Sequence, residues 1–237
     1  MTAGRLRRRS ALRALEVTLW CLAAALLGCY AYVYLDRTVY QAYQAWSFNQ
    51  QLDHKPASAI GFLLHSLRPG EPTPASEDAG NAFSRLALPR PNHAPAPGAV
   101  LGRIEIPRLG VHAMIVDGTT EECLRRAIGH IEGTPLFGQT GNVGLAGHRD
   151  TLFRGLRRIR NGDQIEVRTL DGRYAYIVEG TQIVGPDDVH VLDASTSPTL
   201  TLVTCYPFNY IGPAPRRFIV HARATSWSGL RFAAVRP

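Results

Sequence analysis

The chain is 237 residues long, 45% hydrophobic and 19% charged, with a formal net charge of +7. Five arginines (Arg5, Arg7, Arg8, Arg9 and Arg13) fall in the first thirteen residues, so the rest carries only about +2, too little for an extended nucleic-acid-binding face. The four cysteines form no CxxC pair and no dense framework, which argues against a zinc site or a disulfide scaffold.

Residues 1–13 read as a basic tail. Val17 to Leu35 then runs nineteen residues without a charge, which at ~1.5 Å per residue approaches the hydrocarbon thickness of a bilayer. A transmembrane signal-anchor over residues 14–36 is therefore expected. Arginines precede it and Asp36 follows, so the positive-inside rule predicts a single-pass protein of the cytoplasmic membrane. Its N-terminus lies inside and the remainder is extracytoplasmic. The run is long and lacks an obvious small-x-small cleavage site, which favours an uncleaved anchor over a cleaved signal peptide. Leu26–Leu27–Gly28–Cys29 loosely matches a lipoprotein box, but apolar sequence continues past Cys29.

Residues 37–67 carry helical spacing in parts (Tyr40, Tyr43, Ala45, Trp46, then Ile60, Leu63, Leu64), predicting a juxtamembrane helix followed by a second short one. Residues 68–98 are rich in proline and alanine with no apolar period, as in a semi-extended linker. The globular region is expected over 99–224, with a C-terminal tail at 225–237. Strand-like runs occur at Val100–Ile106, Val111–Val116, Asn142–Gly147, Gln164–Thr169, Tyr174–Val184, Leu200–Cys205 and Arg217–Ala222. One helix fits Thr119–Ala127, capped by Thr119 or Thr120 with Glu121 and Glu122 in its first turn; Leu152–Ile159 fits a short helix or turn. Many short strands and one or two short helices indicate a mostly β protein built as a barrel.

The chemistry concentrates where strands end. From Thr199 the residues alternate, so Leu200, Leu202 and Thr204 share one face while Thr201, Val203 and Cys205 share the other. In the next strand Phe218 and Val220 read as core, which puts Arg217 on the face of Cys205; a bulge would substitute Arg216. Upstream, Gly147–His148–Arg149–Asp150 closes the apolar run Val143–Ala146. A thiol, an imidazole and a guanidinium on adjoining strand ends predict a thiol-based catalytic site.

Supporting roles are less determined. Thr204 either positions the nucleophile through its hydroxyl or is a plain β-branched strand residue. Asp150 either orients His148 or, in the preferred reading, serves a turn or salt bridge. His130 is expected to order a turn, with groove lining as the alternative. Cys123 reads as structural; a bridge from Cys123 to Cys205 would remove the nucleophile. His148 has no partner at i+4 and no carboxylate cluster is spaced for calcium, so neither metal nor cofactor is expected.

Thr201–Leu202–Val203–Thr204–Cys205, His148 upstream and Arg217 twelve positions after the cysteine resemble a sortase, the cysteine transpeptidase of bacterial surfaces. Ala146–Thr151, Cys205–Phe208 and Ala214–Phe218 look most like the class D branch, and the resemblance covers roughly Gly98 to Ala224. It implies an eight-stranded sortase-type β-barrel and three roles. Cys205 becomes the nucleophile that holds an acyl-thioester, His148 the general acid and then base, and Arg217 the stabiliser of the oxyanion or substrate. It also implies protein substrates with a C-terminal LPxTG-like sorting signal, cleaved after the threonine, and an amine of the cell envelope as acceptor. A thiol endopeptidase resolved by water, or a non-catalytic anchored binding barrel, are the alternative readings. The stretch Val184–Ser197, which selects the signal in the family, is short, with an acidic rim of Pro186, Asp187, Asp188 and Val189.

Overall fold

Eight strands close into a barrel in the order β1-β2-β3-β4-β7-β8-β6-β5 in the computed structural model, which describes residues 3–66 and 95–229. The strands are β1 (Val100–Ile106), β2 (Val111–Asp117), β3 (Ile128–His130), β4 (Asn142–Ala146), β5 (Gln164–Thr169), β6 (Gly172–Val184), β7 (Thr199–Tyr206) and β8 (Arg216–Gly229). Two neighbouring pairs, β2/β3 and β4/β7, are parallel; the other pairs are antiparallel. Closure leaves no free sheet edge.

Alternation drives the barrel. In β1 the inward residues Ile104 and Ile106 are fully buried, and β5 repeats the pattern with Ile165 and Val167. Leu145, Leu200, Leu202, Phe153 and Leu156 complete the same core with no exposed surface. Losing one such side chain costs about 2–5 kcal/mol. β4 is buried on both faces from Asn142 to Leu145. Its outer face is closely covered at Gly144, where an added Cβ would sit 3.0 Å from Leu192 and 3.1 Å from Thr134.

Two features depart from the sequence expectation. β3 is a three-residue strand, too short to show a period, and it joins β2 to β4. β8 continues to Gly229, past the expected tail boundary at 225, because it pairs with β6 along that strand's whole length through two register shifts. Residues 230–237 and 67–94, the latter taking in most of the expected linker (68–98), lie outside the described residues.

The helix α3 (Glu121–Arg126) follows the predicted capping logic: the Thr120 hydroxyl accepts from the Cys123 amide, and Glu121 and Glu122 occupy the first turn. A 3-10 turn covers Arg154–Arg158, held by the buried Phe153 and Leu156.

The chain divides into two compact units, residues 1–40 and 41–237. Within the first, the leading part of α1 (Ala3–Leu52) exposes Leu15, Val17, Leu19, Trp20, Leu22, Leu26 and Leu27, and the hydroxyl of Thr18 donates back to the Leu15 carbonyl. Leu15–Leu52 is the one segment among the described residues long and apolar enough to cross a membrane. In the second unit, the Gln41 side-chain amide donates to the Arg126 carbonyl (2.6 Å) and its oxygen accepts from the Met114 amide (2.8 Å). The short α2 (Ala59–Ser66) packs by Phe62 against Tyr43 and Trp46.

Candidate active site

Cys205 lies at the end of β7 directly opposite Arg217 of β8, while Arg216 stands opposite Tyr206. The two register shifts of β8 fall in its pairing with β6, so the count between Cys205 and Arg217 is undisturbed. β4 runs parallel to β7 with Ala146 beside Val203, and the Gly147 amide donates to the Val203 carbonyl (3.1 Å). His148 follows two residues after Ala146, just beyond the paired end of β4. Cysteine, histidine and arginine are thus carried by three adjacent strand ends. Cys205, His148 and Arg217 are each part-buried, within reach of solvent.

Gly147 and Thr204 explain how the histidine is presented. An added Cβ at Gly147 would meet the ring of the buried Phe153 at 2.7 Å, so this position admits no side chain. The buried Thr204 hydroxyl donates to the Gly147 carbonyl at 2.7 Å, on the face opposite Cys205. Thr204 therefore ties β7 to the segment bearing His148 rather than touching the thiol. The His148 carbonyl in turn accepts from the Phe153 amide (3.1 Å), closing the turn that follows.

Two residues that sequence reasoning passed over complete the frame. Glu121, at the start of α3, places Oε1 3.8 Å from His148 Nε2, although its own side chain is 86% exposed. Arg149 donates through Nη2 to the carbonyls of Tyr210 (2.6 Å) and Gly212 (3.2 Å) and lies over the Tyr210 ring. It clamps the β7–β8 loop, which follows Cys205, to the turn that carries His148. First-turn acids and loop arginines carry no sequence signal for such distant contacts.

Arg217 donates through Nη1 to the carbonyls of Ala214 and Arg216, both at 3.2 Å, which holds the guanidinium beside the loop. Tyr206, Phe208 and Phe218 form an aromatic cluster next to it, with ring centroids 5.2–6.4 Å apart. The Tyr206–Pro207 peptide is cis. Asp150 is exposed in the turn and makes no hydrogen bond or ion pair to His148 among the described contacts. Cys123 and Cys205 are both free thiols, and the Cys123 thiol sits 3.8 Å from the Asp117 carbonyl.

His130 is a structural residue. It is 3% exposed, with Nδ1 at 3.0 Å from Asp117 Oδ1 and Nε2 at 3.1 Å from both the Pro135 carbonyl and the Thr134 hydroxyl. The β6–β7 connection contains a 3-10 turn at Val189–Leu192, fastened where Asn142 donates to the Val191 carbonyl and accepts from Thr201. Val189 adds exposed apolar surface to the acidic Asp187–Asp188 rim. Among the described residues, no group of three or more His, Cys, Asp or Glu side chains is placed to hold a metal ion.

Comparison with known proteins agrees with this architecture. A sortase domain model matches residues 104–225, just over half of the chain. The chain is 35% identical over 130 residues to Sortase D of Bacillus subtilis (strain 168), and 30% identical over 110 residues to Sortase A of Bacillus anthracis. These matches take in 54% and 45% of this chain but only 66% and 52% of the relatives' own lengths. A solved Clostridium perfringens Sortase D5 transpeptidase superposes with a TM-score of 0.52 at 31% identity, covering 56% of this chain and 83% of that one.

Proposed function

Since the chain belongs to the sortase family, we propose that it is a membrane-anchored cysteine transpeptidase. The observation that carries this reading is the juxtaposition of Cys205 and Arg217 across the β7–β8 ladder, with His148 two residues past the end of the adjacent β4. In the proposed reaction the Cys205 thiolate attacks the carbonyl carbon of the threonine in an LPxTG-like sorting signal. The tetrahedral oxyanion is met by the guanidinium of Arg217, which remains charged at any working pH and is a fixed donor rather than a base. His148 gives a proton to the leaving amine, so the peptide bond breaks and a thioester forms on Cys205. An amine of the cell envelope then loses a proton to His148, attacks the thioester and frees the thiol.

Thr204 and Asp150 enter this proposal unequally. Thr204 acts by fixing the strand-to-strand distance between thiol and imidazole, supported by its bond to the Gly147 carbonyl. Asp150 is left a turn residue. The apolar Leu15–Leu52 segment supports membrane anchoring. Residues 1–13 on the cytoplasmic side, a single pass and an extracytoplasmic barrel over about 99–224 complete the proposed organisation, with the arginines of the tail as its basis.

The test is mass spectrometry of the full chain in a non-ionic detergent, incubated with LPxTG and LPxTA peptides with and without a small primary amine. The expected result is an acyl adduct on Cys205 that amine removes, with a ligated product. Hydrolysis insensitive to amine would replace transpeptidation with the endopeptidase reading. An unmodified thiol across all peptides would favour a binding barrel.

A further inference from the structure

A cleft of about 300 Å³ opens between the β1–β2 turn and the Arg154–Arg158 3-10 turn, lined in part by His112, Thr151, Arg154, Arg157 and Arg158. No acidic side chain lines it. The carboxylates of this region are engaged elsewhere: Asp163 by Arg108, and Glu105 by Arg103, with His112 3.9 Å from its second oxygen. Arg154, Arg157 and Arg158 are exposed and have no carboxylate partner among the described residues.

The local backbone brings this charge together. With three residues per turn, positions i and i+3 of a 3-10 turn eclipse, which puts Arg154 and Arg157 on one edge of the turn. The buried Phe153 and Leu156 hold the opposite side of the turn against the core. Thr151 lines the same cleft, and its Oγ1 is buried without a hydrogen-bond partner.

We infer that this cleft is a binding site for a phosphate- or diphosphate-bearing ligand. Three guanidiniums exceed what a single carboxylate neutralises, whereas a phosphate group offers up to two charges and several acceptor oxygens to guanidinium forks. The site borders the turn whose Thr151 and Phe153 amides both hold the His148 carbonyl (3.4 and 3.1 Å), so an occupant contacts the segment that presents the imidazole. The inference rests on the cleft itself and does not depend on the thiol chemistry.

The experiment is calorimetric titration of the full chain in maltoside detergent with inorganic pyrophosphate and, separately, with dihexanoylphosphatidylglycerol below its micelle concentration. Saturable one-to-one binding with Kd below about 1 mM is expected. It should weaken roughly tenfold or more in Arg157→Gln/Arg158→Gln, as the loss of charge-assisted contacts requires. Arg154→Gln serves as a milder second variant, and circular dichroism checks that each remains folded. Because the N-terminal arginines also attract anions, an Arg5→Gln/Arg7→Gln/Arg8→Gln/Arg9→Gln chain is titrated and should keep the binding. Binding of pyrophosphate alone assigns a free phosphate ligand, and binding of the lipid alone a headgroup. Absence of both, or binding unchanged by the Arg157 and Arg158 substitutions, overturns the proposal.

Discussion

Two histidines sit on hydrogen-bonded neighbouring strands and lead opposite lives. His130 ends β3 almost wholly enclosed, with both ring nitrogens occupied by Asp117, Pro135 and Thr134. His148 lies just beyond β4 with its side chain 32% exposed, and its Nε2 is 3.8 Å from the exposed carboxylate of Glu121. A ring with every hydrogen-bonding position used holds structure together and has nothing left to exchange. A ring held by its backbone, through the Gly147 and His148 carbonyls, keeps its nitrogens open to a substrate. Backbone tethering with a free side chain is what a proton-transfer residue needs.

The sharpest way to break this contrast is to remove each ring. His148→Ala should lower peptide turnover by about 10²–10⁴-fold, the usual worth of general acid–base catalysis. Its unfolding free energy should change by less than about 0.5 kcal/mol, as for a surface substitution. His130→Ala should cost about 2–4 kcal/mol, because it empties a buried site and removes the ring as partner of Asp117 Oδ1 and the Pro135 carbonyl. Turnover and thermal unfolding measured on both variants check the pair. Equal destabilisation by the two substitutions would end the distinction.

Arg217 and Arg216 offer the next test, since the ladder sets them opposite Cys205 and Tyr206 respectively. Arg217→Ala should reduce kcat/KM by about 10²–10³-fold, as for the loss of an oxyanion donor. Arg216→Ala, on the exposed side, should change it by less than about threefold. Comparable losses from both would mean that the loop presents either guanidinium to the substrate.

How much of this could be read in the residues follows from the range of each signal. The alternation from Thr199 to Cys205 is local, and counting along it puts Arg217 rather than Arg216 across from the cysteine, which is the pairing observed. The barrel was legible for the same reason, from strand-like runs of five residues or more. β3 was not, because three residues cannot display a period and its partners come from elsewhere in the chain. Nor were Glu121 and Arg149, whose partners lie 27 and about 60 residues away in the sequence. Contacts of that kind are made by closure of the barrel and leave no spacing to detect. Thr204 falls between the two cases. Its parity says that it faces away from the thiol, but the acceptor it finds, the Gly147 carbonyl, belongs to another strand.

Thr204→Val tests that bond with the shape kept. It should destabilise the chain by about 1–3 kcal/mol, since the Gly147 carbonyl is left buried without this donor. A chemical-denaturation midpoint reads the loss.

The smallest expected effect separates two aspartates in the way the histidines are separated. Asp163 is buried beside the Arg108 guanidinium, and its carboxyl is held below the usual carboxylate range, first by the hydrogen bond from Arg108 and further by the Arg160 amide, against the opposing effect of burial. A carboxyl whose folded-state pKa is depressed contributes stability at pH above its unfolded value of about 3.9, and that contribution is lost as pH falls through the folded value. Asp163→Asn should therefore lower the unfolding temperature at neutral pH and flatten its dependence on pH below about 4. Asp150 is exposed in the His148 turn, so Asp150→Asn should change the unfolding free energy at neutral pH by less than about 0.5 kcal/mol, as for a surface substitution. Thermal unfolding of both variants at neutral pH distinguishes a carboxylate that holds the barrel shut from one that merely borders the site. If the Asp150 variant were destabilised as much as the Asp163 variant, the turn after β4 would depend on a contact made by that side chain, and the preferred turn role would give way to an orienting one.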